Sequence, residues 1–578
     1  MPTSAHCPRW VLSICCLFLT LPVTWGQAPV ITAVSPRANE RAAPARGPVT
    51  VRFSQALTPG SAAALHVFCG QQGGRRTRAA TPATVSGNLL SFTPVAPFRA
   101  GELVHYTVSP QAASTTGVLA QPLVGQFTVA AAPATGLFAP GSDPAVGQLP
   151  ITVVTGDVDG DGDLDLLTAN FSGGSVSVRL NNGQGVFGGG SNLTLPGNMR
   201  SLALGDVDGD GDLDLLAPDY NNATGTTVNL RLNNGQGLFS GGQTIAVGTG
   251  PYGVALGDID GDGDLDMLAT ATTYTAGSVS VHLNNGQGVF SSHQTVPVGL
   301  NPLNLVLGDV DQDGDLDLLT GNANPSTVSV RLNNGLGLFS GGSEVPVAGL
   351  AFGIVLGDVD GDYDLDVLTV NPRANGTVSV RLNNGAGGFG GGSEVPVGNM
   401  TTGNSCFSLA LGDVDGDGDL DLLAADANGG GAGRVLVRRN DGLGQFSGSQ
   451  QVAVGQGTQS LALGDVDGDG DLDLLAANGN DNTVSVRLNG SVAVGPVVLA
   501  ELLPNVLTPN GDGLNEHLVL PTAVAGPWAL EVYSRWGRSV YRSADYHNEW
   551  GAEAAEGLYY YLLRSPTAVH KGWVEVVR

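Results

Sequence analysis

Asp157, Asp159, Asp161, Asp163 and Asp165 stand at every second position of a single stretch beginning at Gly156. Five carboxylates within nine residues repel one another unless a cation lies among them. The cluster returns six times: as Asp206, Asp208, Asp210, Asp212 and Asp214; as Asp258, Asp260, Asp262, Asp264 and Asp266; as Asp309, Asp311, Asp313, Asp315 and Asp317; as Asp358, Asp360, Asp362, Asp364 and Asp366; as Asp413, Asp415, Asp417, Asp419 and Asp421; and as Asp465, Asp467, Asp469, Asp471 and Asp473. A hard cation such as Ca²⁺ takes about six to eight oxygens in flexible geometry. In the first loop Asp157, Asp159, Asp161 and Asp165 occupy positions 1, 3, 5 and 9, and Gly162 permits the sharp bend at position 6. Asp163, at position 7, is expected to offer its backbone carbonyl.

The rival readings fail on particular residues. An EF-hand needs a bidentate Glu at position 12 and flanking helices. Position 12 here is Thr168, Ala217, Ala269, Thr320, Thr369, Ala424 or Ala476, inside an apolar strand-like run. Dockerin and thrombospondin-type calcium repeats have shorter periods, and the latter are rich in cysteine. Mg²⁺ prefers few carboxylates and retained waters. Up to seven calcium ions of millimolar-range affinity, typical of extracellular modules, are therefore expected. Near-identical sites spread along the chain point to a structural metal, since a catalytic one is usually single with an open position. The fifth loop departs from the pattern: Tyr363 replaces glycine at position 6, where a bulky residue is costly at positive φ. The site at Asp358 is accordingly expected to be the imperfect one. Gln312, at position 4 of the fourth loop, is expected to be harmless.

These loops account for most of the acidity. They hold 35 of the 53 acidic residues, and seven divalent ions would halve the net charge of −28. Such a chain is not built for nucleic acid or anionic membranes, which require basic patches. Residues 1–26 combine Arg9, an apolar run from Trp10 to Val23 and a small Gly26, and read as a secretory signal peptide. Ile14 before Cys15 argues against a lipoprotein. Of the five cysteines, only Cys69 and Cys406 lie beyond that segment, so no disulfide framework is expected. No later apolar run is long enough for a membrane helix.

The elements that must position the loops follow in chain order. Residues 28–132 contain about seven short β-rich runs, which suggests a β-sandwich. Val34-Ser35-Pro36, Val51-Arg52-Phe53-Ser54-Gln55-Ala56-Leu57 and Phe98-Arg99-Ala100-Gly101-Glu102 resemble bacterial Ig-like domains. His66 and His105 lie in strand-like runs and read as structural. After a short linker the array begins, with a period of 49 to 55 residues and four strand-like runs per unit, one propeller blade each. The last unit stops at Asn489 without its fourth strand. Gly136 to Val146 repeats the missing piece, as comparison with Gly337 to Val347 shows. The first strand therefore completes the last blade and closes a ring of seven, leaving no long open edge. The fold class is all-β: a seven-bladed propeller over 136–489, an Ig-like sandwich before it, a linker at 490–500 and a small C-terminal β-sandwich over 501–578. Trp528, Trp536, Trp550 and Trp573 are expected to fill the core of that last module. Its Pro504, Thr508 to Glu516, Val532 to Arg538, Gly557 to Tyr561 and Gly572 to Arg578 segments resemble the C-terminal domain of gliding-motility-associated proteins, a sorting signal of the type IX secretion pathway of Bacteroidetes. This resemblance implies passage across the outer membrane with the type IX machinery as a partner. Residues 510–513 read as a turn.

The D-x-D-x-D-G-x-x-D loops and the Phe187-Gly188-Gly189-Gly190-Ser191 segment resemble the FG-GAP repeats of integrin α-chain propellers and their bacterial relatives. The resemblance implies calcium in the loop between the first and second strands of each blade. The recurring Phe138, Phe187, Phe239, Phe290, Phe339, Phe389 and Phe446 read as packing between blades. Arg179, Arg231, Arg331, Arg381 and Arg487, with His282 and Arg438 in the other blades, read as partners of the loops or as solvated strand residues. Because strands alternate in direction, the calcium loops and the Asn-Asn-Gly turns share one face. The opposite face carries variable loops with Phe171, Tyr220, Tyr252, Tyr274, Phe352 and Phe407, which either contact a protein or glycan ligand or seal the channel mouth. Two functions fit: a secreted or cell-surface binding or adhesion protein, or a polysaccharide-degrading enzyme on a propeller scaffold. No His/Cys cluster, nucleophile elbow or distinctive carboxylate pair outside the loops supports the enzyme.

Overall fold

The computed structural model describes residues 28–490 and 506–578, apart from 73, 274, 373–375, 399–407, 427–432, 510–516, 521–527, 545, 547, 549 and 565–568. The signal segment, Tyr274, Cys406, Phe407 and residues 510–513 lie outside the described residues. The chain forms two compact units, Met1–Ser491 and Val492–Arg578.

The first unit begins with a seven-stranded Ig-like sandwich. One sheet pairs Ile31–Ser35, Val49–Phe53, Leu89–Phe92 and Thr84–Ser86, and the other pairs Leu65–Cys69, Leu103–Val108 and Leu123–Thr128. Alternate residues Val49, Val51 and Phe53 point inward against Leu65, Val67, Tyr106 and Phe127, all essentially inaccessible. His66 is buried, and burial followed by the Arg75 charge holds its pKa down to about 3, so it is neutral at physiological pH. His105 is lowered by burial to about 4.

Seven antiparallel sheets follow. In the second blade the strands are Ala203–Gly205, Asp214–Asp219, Thr227–Arg231 and Thr244–Ala246, paired in that order, and the other blades repeat this plan. The second strands are buried along most of their length, completely so at Asp165–Asn170 in the first blade, because neighbouring blades cover both faces. Hence apolar residues stand side by side, as Leu166 and Leu167 do, rather than alternating, with the polar Asp165, Thr168 and Asn170 buried among them. The seventh blade takes its fourth strand from the start of the array, as the sequence predicts: Ala139 pairs with Leu488 and Pro140 with Arg487. The pairing continues as Val486 N–H donates to Ser142 O at 2.8 Å and Val484 N–H to Pro144 O at 3.0 Å. Val153, Leu164 and Phe187 of the first blade share one core with Leu475, Val484 and Val486 of the seventh, sealing the ring. The recurring phenylalanines occupy such inter-blade cores.

The recurring arginines are not partners of the loops. Nε of Arg179, Arg331, Arg381, Arg438 and Arg487 donates to Ala145, Pro297, Pro346, Pro396 and Ala453 carbonyls at 2.8–3.1 Å, so each stitches a blade to the outer strand of the one before it.

In the second unit the described residues form a five-stranded sheet in the order Val506–Leu507, Val569–Val576, Gly557–Arg564, Ala529–Ser534, Ser539–Ser543. Trp528 and Trp550 enter its core with Tyr546 and Tyr561. Trp536 and Trp573 do not: they are 82% and 45% exposed. Trp536 sits in a hairpin turn under the Arg535 guanidinium, and Trp573 alternates with the buried Val574 on the outward face of its strand. Among the described residues no helix is long and apolar enough to cross a membrane.

Candidate metal centres

Each aspartate loop joins the first and second strands of a blade, and its geometry follows from where its carboxylates are anchored. In the first loop Asp157 accepts from Gly160 N–H (2.8 Å) and Gly162 N–H (3.1 Å), folding the chain around its own side chain. Asp165 opens the second strand fully buried; its two oxygens accept Val158 N–H at 3.0 Å and Asn181 N–H at 2.8 Å. One carboxylate thus ties the loop to the third-strand hairpin. The same pair of bonds recurs at Asp214, Asp266, Asp317, Asp366, Asp421 and Asp473.

Asn181 carries the construction to the blade before it in the ring. Its Nδ2 donates to Val466 O at 2.8 Å, in the loop of the seventh blade. Asn233, Asn284, Asn333, Asn383, Asn440 and Asn489 reach back to Val158, Val207, Ile259, Val310, Val359 and Val414 in the same way. The loops therefore form one closed ring of hydrogen bonds. The Asn-Asn-Gly turn was legible as a turn, but its role as a tie between loops needed the blades to be packed.

The aspartates named from the sequence converge as follows. Asp157, Asp159 and Asp165 bring ligand oxygens within 4.8 Å of one another, as do Asp309, Asp311 and Asp317, and Asp358, Asp360 and Asp366. In the second and third loops the corresponding groups are Asp206, Asp208, Asp210 and Asp258, Asp260, Asp262. Position 7 is in none of these five groups. The carboxylates of Asp163, Asp212, Asp264, Asp315, Asp364 and Asp419 instead lie against the turn glycines Gly183, Gly235, Gly286, Gly335, Gly385 and Gly442.

The electrostatics favour a cation. Burial first, and neighbouring carboxylates after it, push Asp165 and Asp366 up to about 7, Asp214, Asp317 and Asp473 to about 8, and Asp266 to about 9; backbone N–H donors oppose this shift. Asp421 rises only to about 6, because Arg439 faces it. Buried oxygens of Asp309, Asp311, Asp360, Asp415 and Asp471 have no hydrogen-bond partner. Orphaned acceptors in carboxylate clusters, with all-oxygen donor chemistry, fit a hard divalent ion.

Tyr363 adopts φ 74° and donates its N–H to Asp358 at 3.1 Å, as Gly162 does to Asp157 in the first loop. The fifth loop therefore keeps the common geometry. The ring points outward beneath the Arg37 guanidinium, 4.4 Å from its centroid, and Asn39 Nδ2 holds the Tyr363 carbonyl at 2.9 Å. Gln312 likewise takes a left-handed φ of 62°, and its Nε2 bonds to Asp364.

These contacts from Arg37 and Asn39 belong to the Ig-like domain, which sits on the loop face and touches every blade. Gln71 O accepts Asp157 N–H at 2.8 Å; Arg75 N–H donates to Asp206 at 3.2 Å and its guanidinium lies 3.8 Å from Asp264. Val124 N–H donates to Gly314 O, and Ala132 and Ala134 N–H to Gly470 O and Asp415 O. Arg41 bridges Asp358 (3.7 Å) and Asp419 (3.2 Å). The only signal of this docking along the chain is a scatter of arginines in a module adjoining an acidic one.

On the opposite face Phe171, Tyr220 and Tyr252 gather around one side chain that sequence reasoning passed over, Arg200. Its signal was its place in the repeat: six residues before the first loop aspartate, where other blades carry Tyr252, Phe352 and Phe407. Phe352 packs against the core of the fifth to seventh blades, and its carbonyl accepts from Asn304 Nδ2 at 3.0 Å.

Residues 157–217, 218–269, 260–320, 309–369, 358–424 and 413–476 match the FG-GAP-like repeat. The chain belongs to the FG-GAP-like repeat family. Beside its FG-GAP-like repeats, residues 26–129 match a bacterial Ig-like domain and 502–576 a Type IX secretion signal domain. No curated protein matches the chain. Among solved structures it is similar to BBS1N in complex with ARL6DN (12% identity, 62% of this chain and 98% of that chain, TM-score 0.43). It is also similar to an Agrocybe aegerita lectin described as recognising non-reducing terminal N-acetylglucosamine (20%, 69% and 92%, 0.38), and to a functionally unknown protein from Desulfotomaculum acetoxidans DSM 771 (11%, 69% and 96%, 0.38). The FG-GAP-like repeats and the secretion signal mark an exported β-propeller protein whose clustered aspartates could hold metal ions.

Proposed function

We propose that this protein is a binding or adhesion protein, secreted or displayed on the cell surface, whose propeller is held in shape by calcium in its aspartate loops. The observation that carries the reading is the ring of near-identical loops, each with a fully buried ninth-position carboxylate bonded to its own blade's hairpin turn, whose asparagine reaches the loop of the blade before it, and, in several loops, with orphaned carboxylate oxygens. Such sites, when filled, supply charge neutralisation and coordination to the scaffold. The residues that would hold the ion are those at positions 1, 3, 5 and 9. The seven-blade array over 136–489, the Ig-like module over 28–132 and the sorting module over 501–578 form the proposed division of labour: rigid display, cap and export signal. With the loop face covered by the Ig-like domain, the variable loops opposite are the surface left for a protein or glycan ligand.

Chelation tests the metal. Removing calcium should lower the melting temperature and expose the unit Met1–Ser491 to protease; an unchanged melt and digestion pattern would refute it. A glycan array with an activity screen on the same polysaccharides tests the rest: binding without turnover is expected, and turnover would replace the binding reading by an enzymatic one.

A further inference from the structure

Five residues before the first aspartate of each loop, the inner strands place one ring of residues around the propeller axis: Thr152, Ser201, Asn304, Ser408 and Ser460, with Gly253 and Gly353 in the remaining blades. This ring lines two adjoining cavities of about 140 and 160 Å³ on the side away from the aspartate loops. The groups are fixed from blade to blade. Thr152 Oγ1 donates to Arg200 O at 2.8 Å, Ser460 Oγ accepts Val153 N–H at 3.3 Å, and Asn304 Nδ2 donates to Phe352 O at 3.0 Å.

Arg200 stands at the rim of the smaller cavity. Its guanidinium carbon lies 4.6 Å from the Phe171 ring centroid, 4.9 Å from Tyr220 and 5.2 Å from Tyr252, and the two tyrosines pack edge to face at 5.5 Å. Rings on several sides hold the cation in place without neutralising it. Its guanidinium makes a long polar contact, 3.5 Å to the Tyr252 hydroxyl, and its Nε is buried without a hydrogen-bond partner. Among the described residues no carboxylate lies within ion-pair distance of Arg200, whereas Arg331, Arg381 and Arg487 pair with Glu344, Glu394 and Asp143. A pre-oriented guanidinium with unspent N–H donors, opening on a hydroxyl- and amide-lined cavity, is the chemistry that recognises a planar carboxylate attached to a polyol. The cavity is well below the roughly 300–1,000 Å³ of a drug-sized pocket, so it accepts an end group rather than a whole ligand.

We infer that the mouth of the propeller channel binds the carboxylate of an acidic sugar, a terminal uronate, with Arg200 taking the carboxylate and the ring from Thr152 to Ser460 taking the hydroxyls. This inference rests on the reading of the protein as a binding protein and names the ligand class for its free face.

The test uses the full chain in calcium, titrated by calorimetry and saturation-transfer NMR with galacturonate and glucuronate, their methyl esters and the neutral parent sugars. The acids should bind at least about tenfold more tightly than the esters, the loss expected for a charge-assisted contact. Arg200→Gln should bring the acids down to the ester level, and Arg200→Lys should restore part of the difference. Should Arg200→Gln lower the melting temperature sharply, Asn304→Ala, outside the aromatic cage, should still weaken acid binding. Equal binding of acid and ester, or acid binding unchanged in both Arg200→Gln and Asn304→Ala, overturns the inference. Array binding to neutral glycans that is indifferent to Arg200 overturns it too while sparing the wider reading; no binding to any glycan or protein overturns both.

Discussion

Replacing Asp266 separates the structural role of a loop carboxylate from its role toward metal. Asp266 is fully buried; Oδ2 accepts Ile259 N–H at 3.1 Å and Oδ1 accepts Asn284 N–H at 2.8 Å. The Ile259 carbonyl in turn receives Asn333 Nδ2 and Gly337 N–H from the next blade, at 2.8 and 3.0 Å. Asp266→Ala leaves two buried N–H groups without acceptors, each costing about 1–3 kcal/mol, for a total of roughly 2–6 kcal/mol. Asp266→Asn keeps one acceptor and should cost about half as much. Both losses should appear with chelator present, because they arise from backbone hydrogen bonds. Asp262, an exposed carboxylate of the same loop that groups with Asp258 and Asp260, behaves oppositely. Asp262→Ala should lower stability in calcium, yet leave it nearly level in chelator, where removal of a like charge offsets loss of the exposed acceptor for Asp264 N–H at 2.9 Å. The assay is urea unfolding at pH 7 with and without calcium, followed by fluorescence and limited proteolysis. The reasoning is refuted if Asp266→Ala in chelator stays within about 0.5 kcal/mol of wild type, the range of an ordinary surface change, or if Asp262→Ala is equally harmful with and without calcium.

Burial lifts the ninth-position carboxylates above the roughly 3.9 of a free aspartate, so the metal-free folded state binds more protons than the unfolded chain. Their contribution is complete below about pH 4 and is lost as pH rises through the folded values of about 7 to 8 at Asp165, Asp214 and Asp473. In chelator the melting temperature should therefore fall between about pH 4 and 8, and calcium should flatten that slope; a chelated protein that gains stability over this range contradicts the electrostatics. Gly263→Ala should be severe, since the residue holds φ +96° and a Cβ there would lie 2.3 Å from the His66 ring of the docked Ig-like domain; proteolysis should show the domain loosened, and intact docking would refute the contact. Tyr363→Gly should shift stability by less than about 1 kcal/mol, as relief of left-handed strain offsets loss of the Arg37 stack. Arg41→Ala removes a part-exposed ion pair worth about 0.2–1 kcal/mol and a cation beside Asp358 and Asp419, so calcium affinity, read by chelator competition, should rise.

Local sequence determined what repeats locally. The aspartate spacing set the loop, because the carboxylates at positions 1 and 9 bond backbone N–H groups only three to seven residues away, as from Asp157 to Gly160 or Asp165 to Val158. The offset of Gly136 to Val146 determined closure, since a strand missing at one end of an array and present at the other has one place to pair. Adjacent apolar residues such as Leu166 and Leu167 marked strand-like runs, and the packed blades bury Asp165–Asn170 throughout. Tertiary structure decided everything that joins residues far apart in the chain. It aimed position-7 carboxylates at turn glycines, made five of the recurring arginines, which read as loop partners or solvated strand residues, into stitches between blades, and put Trp536 and Trp573 in solvent. It placed the Ig-like domain on the aspartate face and Arg200 inside three rings. Composition and spacing report the bonds a residue makes with its neighbours along the chain; they say nothing of which distant surface will cover it. Here the domain that covers one face and the arginine held open on the other were settled only when the ring had closed.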